Sequence, residues 1–408
     1  MKKEELENYI LEIIPGLIKD KRKRLGVTQK ELADIIGLGR NGDRTIRRWE
    51  NGENRPSVIE LRVINEIPEE PFFANCKLED AKFSTIDLFA GIGGIRLAFQ
   101  ELGGYTKFSS EWDKFAQKTY HANFGETPHG DITLVDENKV PDHDILLAGF
   151  PCQPFSQAGL KKGFEDTRGT LFYDIARIIA VKRPKAFLLE NVKQLRGHNK
   201  GQTLQTILKV LVEELNYTVH FKVLKAADFG VPQNRERIYI VGFNNEFDGQ
   251  LVPFEFPQPR NIPTRLGDIL EQKTSEEFEV FTISDKLYEG HLRRKEAHLE
   301  KGNGFGFSLF NADSQYTNTL SARYYKDGSE ILIEQQGRNP RKLTARECAR
   351  LQGFPEEFVI PVSNSQAYKQ FGNSVAVPVV RAIAEQMIQS LESIGVLSDQ
   401  SDLFPVMS

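Results

Sequence analysis

Between Phe83 and Asn191 short apolar runs alternate with amphipathic ones, and this alternation constrains the fold more than any other feature of the chain. FSTIDLFAG, KFSSEWD, DILLAGF and AFLLEN read as strands, three of them apolar enough to be buried on both faces. GIRLAFQELG and TLFYDIARIIAVK carry apolar residues at helical spacing. Strands alternating with helices imply an α/β domain, a mostly parallel sheet covered by helices on both faces.

The remaining chain is organised around this block. Residues 1–70 read as short helices with no strand, 71–82 as a linker containing proline and acidic residues, and 83–243 as the α/β body. From 244 to 335 helical periodicity fades and Gly, Pro, Asn and aromatic residues accumulate, which suggests a small irregular module. Residues 336–395 regain regular pattern, and the long helix ending QAYKQFGNSVAVPVVRAIAEQMIQSL is expected to pack back on the sheet, leaving 396–408 as a tail. With 39% hydrophobic and 27% charged residues the composition is that of a soluble globular protein. No apolar run approaches the roughly 18–20 residues of a spanning helix, so no membrane partner is expected. The start MKKEELENYI turns acidic where a signal peptide needs an apolar core. Three scattered cysteines, Cys76, Cys152 and Cys348, do not make a disulfide framework, and no CxxC or HxxxH spacing suggests a metal. A reducing cytoplasm is the economical expectation.

The net charge of −4 says nothing about nucleic acid, but KDKRKRLG and RTIRRWENGENR concentrate cations near the N-terminus. Thr28 is placed to cap a helix with apolar positions Leu32, Ile35 and Ile36, ended by Gly37; DRTIRRWENG gives a second helix, and Ser57 caps a third. The pattern T-Q-x-x-L-A-x-x-x-G followed by T-I-x-x-W-E-N-G-x-x-x-P resembles the repressor-like helix-turn-helix family over about fifty residues. The resemblance implies a recognition helix in a DNA major groove, with Thr45, Arg47 and Arg48 as base or phosphate contacts.

In the α/β body, DLFAGIGG (Asp87–Gly94) follows the first strand and opens a helix, so its glycines let a ligand approach backbone N–H groups. Glu111 ends the second strand about twenty residues later, where such folds place an acid against ribose hydroxyls. Trp112 beside it offers a stacking surface for an adenine, and Asp131 in HGDIT could accept a bond from an adenine amino group. An NAD site would fit the first two features equally well. The stretch GFPCQPFSQ resolves the choice: a strand delivers Cys152, held between two prolines, to the carboxyl edge of the sheet.

DLFAGIGG, EWDKFA, GDIT, GFPCQPFS, DTRGTLFYDIARI, LLENVK, QNRERIYIVGF, RKLTARECARLQGFP and QAYKQFGNSVAVP, in that order, resemble the motifs of the bacterial C5 cytosine-specific DNA methyltransferases of restriction-modification systems. The resemblance implies a Rossmann-like fold dependent on S-adenosylmethionine, with a mixed, mostly parallel sheet, 244–335 as a target-recognition domain, and base flipping of a cytosine out of duplex DNA. A thiolate adding at cytosine C6 pushes electron density onto C5, which then takes a methyl group; Cys152 supplies the sulfur. Glu190 is suited to hold or deliver a proton at N3, with Asn191 orienting it. The same resemblance implies that Arg237 contacts the cytosine O2 and that Arg235 supports the active-site loop. Cofactor contacts carry over to Phe89, Ala90, Gly91, Ile92, Gly93, Gly94, Glu111, Trp112, Asp131, Ile132, Gly149, Pro151, Leu171, Asn373, Ser374 and Val375.

The loop after Cys152 is expected to close over DNA, with Ser156, Lys161 and Lys162 near phosphates. KGNGFGFSLF and TNTLSARYYKDGSEILI look like recognition segments of enzymes acting on CCNGG or CCWGG sites, with Arg323 and Lys326 as readers of guanine edges. The implied partners are duplex DNA, an operator bound by the N-terminal domain for autoregulation, and a cognate restriction endonuclease that acts on the same site. The enzyme is expected to work as a monomer in the nucleoid-associated bacterial cytoplasm. A regulator without methylation activity and a tRNA cytosine methyltransferase are the alternatives.

Overall fold

The computed structural model describes residues 14–23, 25, 27–39, 41–67, 71–151, 170–246, 252–260, 262–302 and 306–397. Cys152, Ser156, Lys161 and Lys162 lie outside the described residues. The chain divides into two compact units; one holds the segment up to Ala74 with Lys118–Glu126 and Glu357–Ser363, the other the remainder.

The first unit begins with helical residues 14–23 (α1), followed by α2 (Gln29–Ile35), α3 (Gly42–Glu50) and α4 (Val58–Glu66). Thr28 and Ser57 cap α2 and α4, each in a reciprocal capping box with the glutamate three residues on, so the expected starts are met. Ile18, Leu32, Ala33, Ile46, Trp49 and Ile64 form one buried core. α2 and α3 approach so closely that a Cβ on Gly42 would lie 2.6 Å from Ala33 Cβ.

The second unit is built on a six-stranded sheet ordered β2-β1-β3-β4-β6-β5. Its strands are β1 (Phe83–Leu88), β2 (Gly104–Ser110), β3 (Ile145–Gly149), β4 (Ala186–Val192), β5 (Tyr217–Lys225) and β6 (Glu236–Asn244). β1 pairs in parallel with β2 and β3, and β3 with β4, whereas β6 runs antiparallel to β4 and β5. The carboxyl ends of β1 to β4 therefore open on one edge, and β6 brings its first residues to that same edge. Every residue of β1 is buried, as a strand covered on both faces requires. α5 (Gly94–Gln100), α6 (Lys114–Phe124), α7 (Leu171–Lys182) and α8 (Gln202–Lys209) follow β1, β2, β3 and β4 in the chain. Ile86, Leu88, Leu146, Ala148, Ile175, Ile178, Phe187, Leu189, Ile207 and Ile240 belong to the main core.

Within the irregular module the sequence hid a regular element, α9 (Asp285–Glu300), capped by Ser284. Its apolar stripe is sparse, with His291 its buried residue, so periodicity could not reveal it. A small sheet of β7 (Leu309–Phe310), β8 (Leu332–Gln335) and β9 (Arg338–Arg341) completes the module. The return segment forms α10 (Ala345–Leu351), α11 (Asn364–Asn373) and α12 (Val377–Ser393), and α12 packs against α5, the helix that follows β1.

Candidate active site

The turn after β1 is conformationally demanding. Phe89 has φ +54°, a left-handed value that costs a side-chain-bearing residue energy, and Gly91 and Gly93 follow at +56° and +83°. A Cβ on Gly91 would meet nothing within 4 Å, so this side of the turn is open. Gly94 differs: a Cβ there would lie 2.8 Å from Ser374 Oγ and 3.0 Å from Val375 Cγ2, which presses the start of α5 onto the 373–375 turn. Ala90 and Ile92 are buried beneath the loop.

Glu111 closes this loop from the next strand. Its carboxylate accepts from the N–H groups of Gly91 and Asp113, both at 2.8 Å, and its own N–H donates to the His129 carbonyl at 2.8 Å. Ser110 Oγ donates to the Gly130 carbonyl at 2.8 Å, so the end of β2 carries Asp131 beside it. Asp131 caps the short turn at Ile132, and Arg177 of α7 donates to the Ile132 carbonyl at 2.7 Å, drawing in the helix that begins at Leu171. Trp112 stands 78% exposed next to Glu111, an uncovered ring at the rim of the loop. Asn373 is exposed, while Val375 is buried.

One group at this edge drew no role from the sequence. Asp87 lies inside β1 with both carboxylate oxygens buried and unpartnered. Burial pushes its pKa up to about 7, with Arg96 opposing and Glu111 reinforcing the shift. The sequence signal was a lone acid in an otherwise uncharged strand.

The second half of the edge is assembled by β3, β4 and β6. Gly149 pairs with Glu190 across β3 and β4, and Val192 with Arg237 across β4 and β6. Glu190 and Arg237 meet at 3.0 Å, and both are largely buried. Burial raises the Glu190 pKa, while the Arg237 and Arg235 charges pull against it. Asn191, next to Glu190, is itself fixed: its amide donates to the Phe150 carbonyl at 2.9 Å and its oxygen accepts from the Val192 N–H at 2.8 Å. It thereby fixes the end of the stretch leading to Pro151, which is exposed. Arg235, fully buried just ahead of β6, donates to the carbonyls of Leu320 (2.9 Å), Gly372 (3.2 Å) and Ser374.

Arg323 and Lys326 are exposed on a tight turn, in which Tyr324 N–H donates to the Ser321 carbonyl at 3.1 Å. Tyr324 is buried and locked, donating to the Ile331 carbonyl and accepting from the Leu343 N–H, so it packs and does not read bases. In the first unit Arg47 and Arg48 are exposed on α3, and Thr45 is half-buried. Cys348 is buried on α10, and burial pushes its thiol far up, in keeping with a packing residue.

A six-stranded sheet with one reversed strand, and a glycine-rich turn meeting an acid from the next strand, define the fold class of the S-adenosylmethionine-dependent methyltransferases. Solved structures agree: S. pombe Dnmt2 methyltransferase (TM-score 0.59, 21% identity) and the Entamoeba histolytica methyltransferase EhMeth (0.59, 18%) align over 76% and 79% of this chain and 99% of their own. The family model described as C-5 cytosine-specific DNA methylase matches residues 83–389, and one described as Helix-turn-helix matches residues 18–70. Type II methyltransferase M.SsoII of Shigella sonnei is 61% identical over 381 residues, 93% of this chain and 99% of that protein. Type II methyltransferase M1.ScrFI of Lactococcus lactis subsp. cremoris is 63% identical over 377 residues, 92% of this chain and 95% of that protein. The chain belongs to the C-5 cytosine-specific DNA methylases, and carries an N-terminal helix-turn-helix domain ahead of the enzyme.

Proposed function

We propose that this DNA methyltransferase moves a methyl group from S-adenosylmethionine to C5 of a cytosine flipped out of a short duplex site, of CCNGG or CCWGG type. The observation that carries the reading is the buried Glu190–Arg237 pair at the edge where β3 ends, two residues before Pro151. The orphaned Asp87 carboxylate, the open face of Gly91 and the uncovered Trp112 ring fit a cofactor bearing cationic ammonium and sulfonium groups and an adenine. Phe89 to Gly94, Glu111, Asp131, Ile132, Gly149, Pro151, Leu171 and Asn373 to Val375 would hold it. When bound, S-adenosylmethionine supplies an electrophilic methyl group.

The protein's own groups prepare the acceptor. Cys152 Sγ forms a bond to cytosine C6, and the ring electrons that leave the C5–C6 double bond move toward N3 and O2. Glu190, its pKa raised by burial, gives a proton to N3 as that charge arrives. Arg237 stabilises negative charge at O2. After methylation at C5, loss of the C5 proton to solvent, departure of Sγ as thiolate and return of the N3 proton to the Glu190 carboxylate restore the neutral aromatic ring. Arg323 and Lys326 read the site; Ser156, Lys161 and Lys162 approach phosphates.

The biological reading is protection of host DNA from a cognate endonuclease, in a bacterial cytoplasm, by an enzyme monomeric during catalysis. α3, with Thr45, Arg47 and Arg48, reads an operator and represses transcription. Methyl transfer from labelled cofactor tests the reading, with duplex DNA and tRNA as competing acceptors. DNA labelling by the wild type and none by Cys152→Ser is expected. Preferential tRNA labelling, or promoter binding with no transfer to either acceptor, contradicts it.

A further inference from the structure

Three buried side chains join the recognition module to the catalytic edge, and the proposed chemistry assigns a step to none of them. Gln233 and Gln352 are both fully buried. Gln233 Oε1 accepts from the Leu320 N–H at 2.9 Å; its Nε2 donates to the Leu351 carbonyl at 3.0 Å and to Gln352 Oε1 at 3.1 Å. Gln352 Nε2 in turn donates to the Phe371 carbonyl at 2.7 Å. Arg235 takes the other backbone polar group of the same residue, donating to the Leu320 carbonyl at 2.9 Å.

Both backbone polar groups of Leu320 are therefore held by side chains at alternate positions of one segment, 233 and 235, whose next alternate position is Arg237. The fit is tight from the far side too. A Cβ on Gly372 would lie 2.3 Å from the Ser321 carbonyl oxygen and 2.5 Å from Ala322 N, so the backbone at 372 lies directly against the peptide that follows Leu320. The exposed Arg323 and Lys326 come within the next six residues, on a turn closed by the Tyr324-to-Ser321 and Lys326-to-Arg323 backbone bonds. The module's small sheet does not include this turn, so side-chain bonds must hold it against the chemistry. A buried amide whose bonds are all made is a strong local constraint, because each group left unpaired is costly.

We propose that Gln233 is a specificity-determining positioning residue, which clamps the Leu320 peptide and so holds the base-reading turn 321–326 in register with Glu190 and Arg237. The inference rests on the DNA-methylation reading above. A loosened clamp leaves the chemical groups intact but lets the turn accept wrong base pairs, so discrimination is lost before cofactor binding is.

The wild type's own site is first defined by bisulfite sequencing of host DNA. Methylation of that site is then compared with sites altered at one base pair outside the target cytosine. In Gln233→Met the ratio of cognate to altered-site kcat/KM is expected to fall by about ten- to a hundredfold, the discrimination one good side-chain–base contact supplies. The KM for cofactor stays within about twofold of wild type, since no cofactor contact changes. Gln233→Glu, kept protonated by burial, retains an acceptor for the Leu320 N–H and one donor toward the Leu351 carbonyl, and restores most of the ratio. Gln352→Met, which empties the same cluster without touching Leu320, retains it. A folded Gln233→Met that discriminates like the wild type overturns the inference, as does equal loss in Gln352→Met. If Gln233→Met does not fold, hydrogen exchange on the wild-type chain decides. Peptides covering 317–323 must exchange as slowly as β6, and exchange at the rate of exposed loops overturns the clamp. Absence of 5-methylcytosine in DNA exposed to the wild type overturns the function and the clamp together, which separates the two failures.

Discussion

Asp87 sits in an environment that a carboxylate does not prefer, buried with both oxygens unpartnered. An ionised carboxylate without a partner in the core carries a desolvation penalty, and here burial holds the proton on to about pH 7. The sign follows from linkage. The folded-state pKa lies above the unfolded value of about 3.9, so the folded chain binds more protons, and stability is lost as pH rises from about 4 to about 7. Asp87→Asn removes that dependence. In cofactor-free protein, the difference in unfolding free energy between variant and wild type should shift toward the variant by on the order of 2–4 kcal/mol between pH 5 and pH 8. Denaturant titrations at the two pH values check this, and a pH-independent difference contradicts it. Glu190, by contrast, was legible in the sequence, because a strand-end acid in ENV names its own place. The bond from Asn191 to Phe150 was not, since the two lie 41 residues apart and only sheet pairing brings them together.

At the scale of elements, local chemistry was the most legible layer. The caps Thr28 and Ser57 were read from their spacing to an apolar run, and both make their capping boxes. β1, β3 and β4 were visible as apolar runs because parallel strands are buried on both faces. α9 was invisible, since its exposed surface carries charges on nearly every side and its burial is confined to His291. Close approach of α2 and α3 was not legible either, because a glycine at position 42 looks like a turn residue. Any side chain at that position would start 2.6 Å from Ala33 Cβ, so Gly42→Val must force the helices apart. Overpacking of this kind costs about 1–3 kcal/mol. The expected outcome in the full chain is faster hydrogen exchange in peptides covering 29–50 and weakened operator binding, with methyl transfer at wild-type rate. Unchanged exchange in those peptides contradicts the packing argument.

For the molecule as a whole, an enzyme body matching residues 83–389 and a helix-turn-helix matching residues 18–70 occupy separate stretches of sequence. Deleting residues 1–70 is therefore expected to leave cytosine methylation within about threefold of wild type and to abolish operator binding, since on the proposed reading α3 supplies the phosphate and base contacts. Loss of methylation in that truncation contradicts separable roles. The most direct test of the account concerns the bond to the base itself. A duplex carrying 5-fluorocytosine at the target position, incubated with protein and S-adenosylmethionine, blocks release because fluorine cannot leave as the C5 proton does. The account predicts a stable protein–DNA adduct that peptide mass spectrometry locates on Cys152 and that Cys152→Ser does not form; methylation of ordinary cytosine without any such adduct would contradict it.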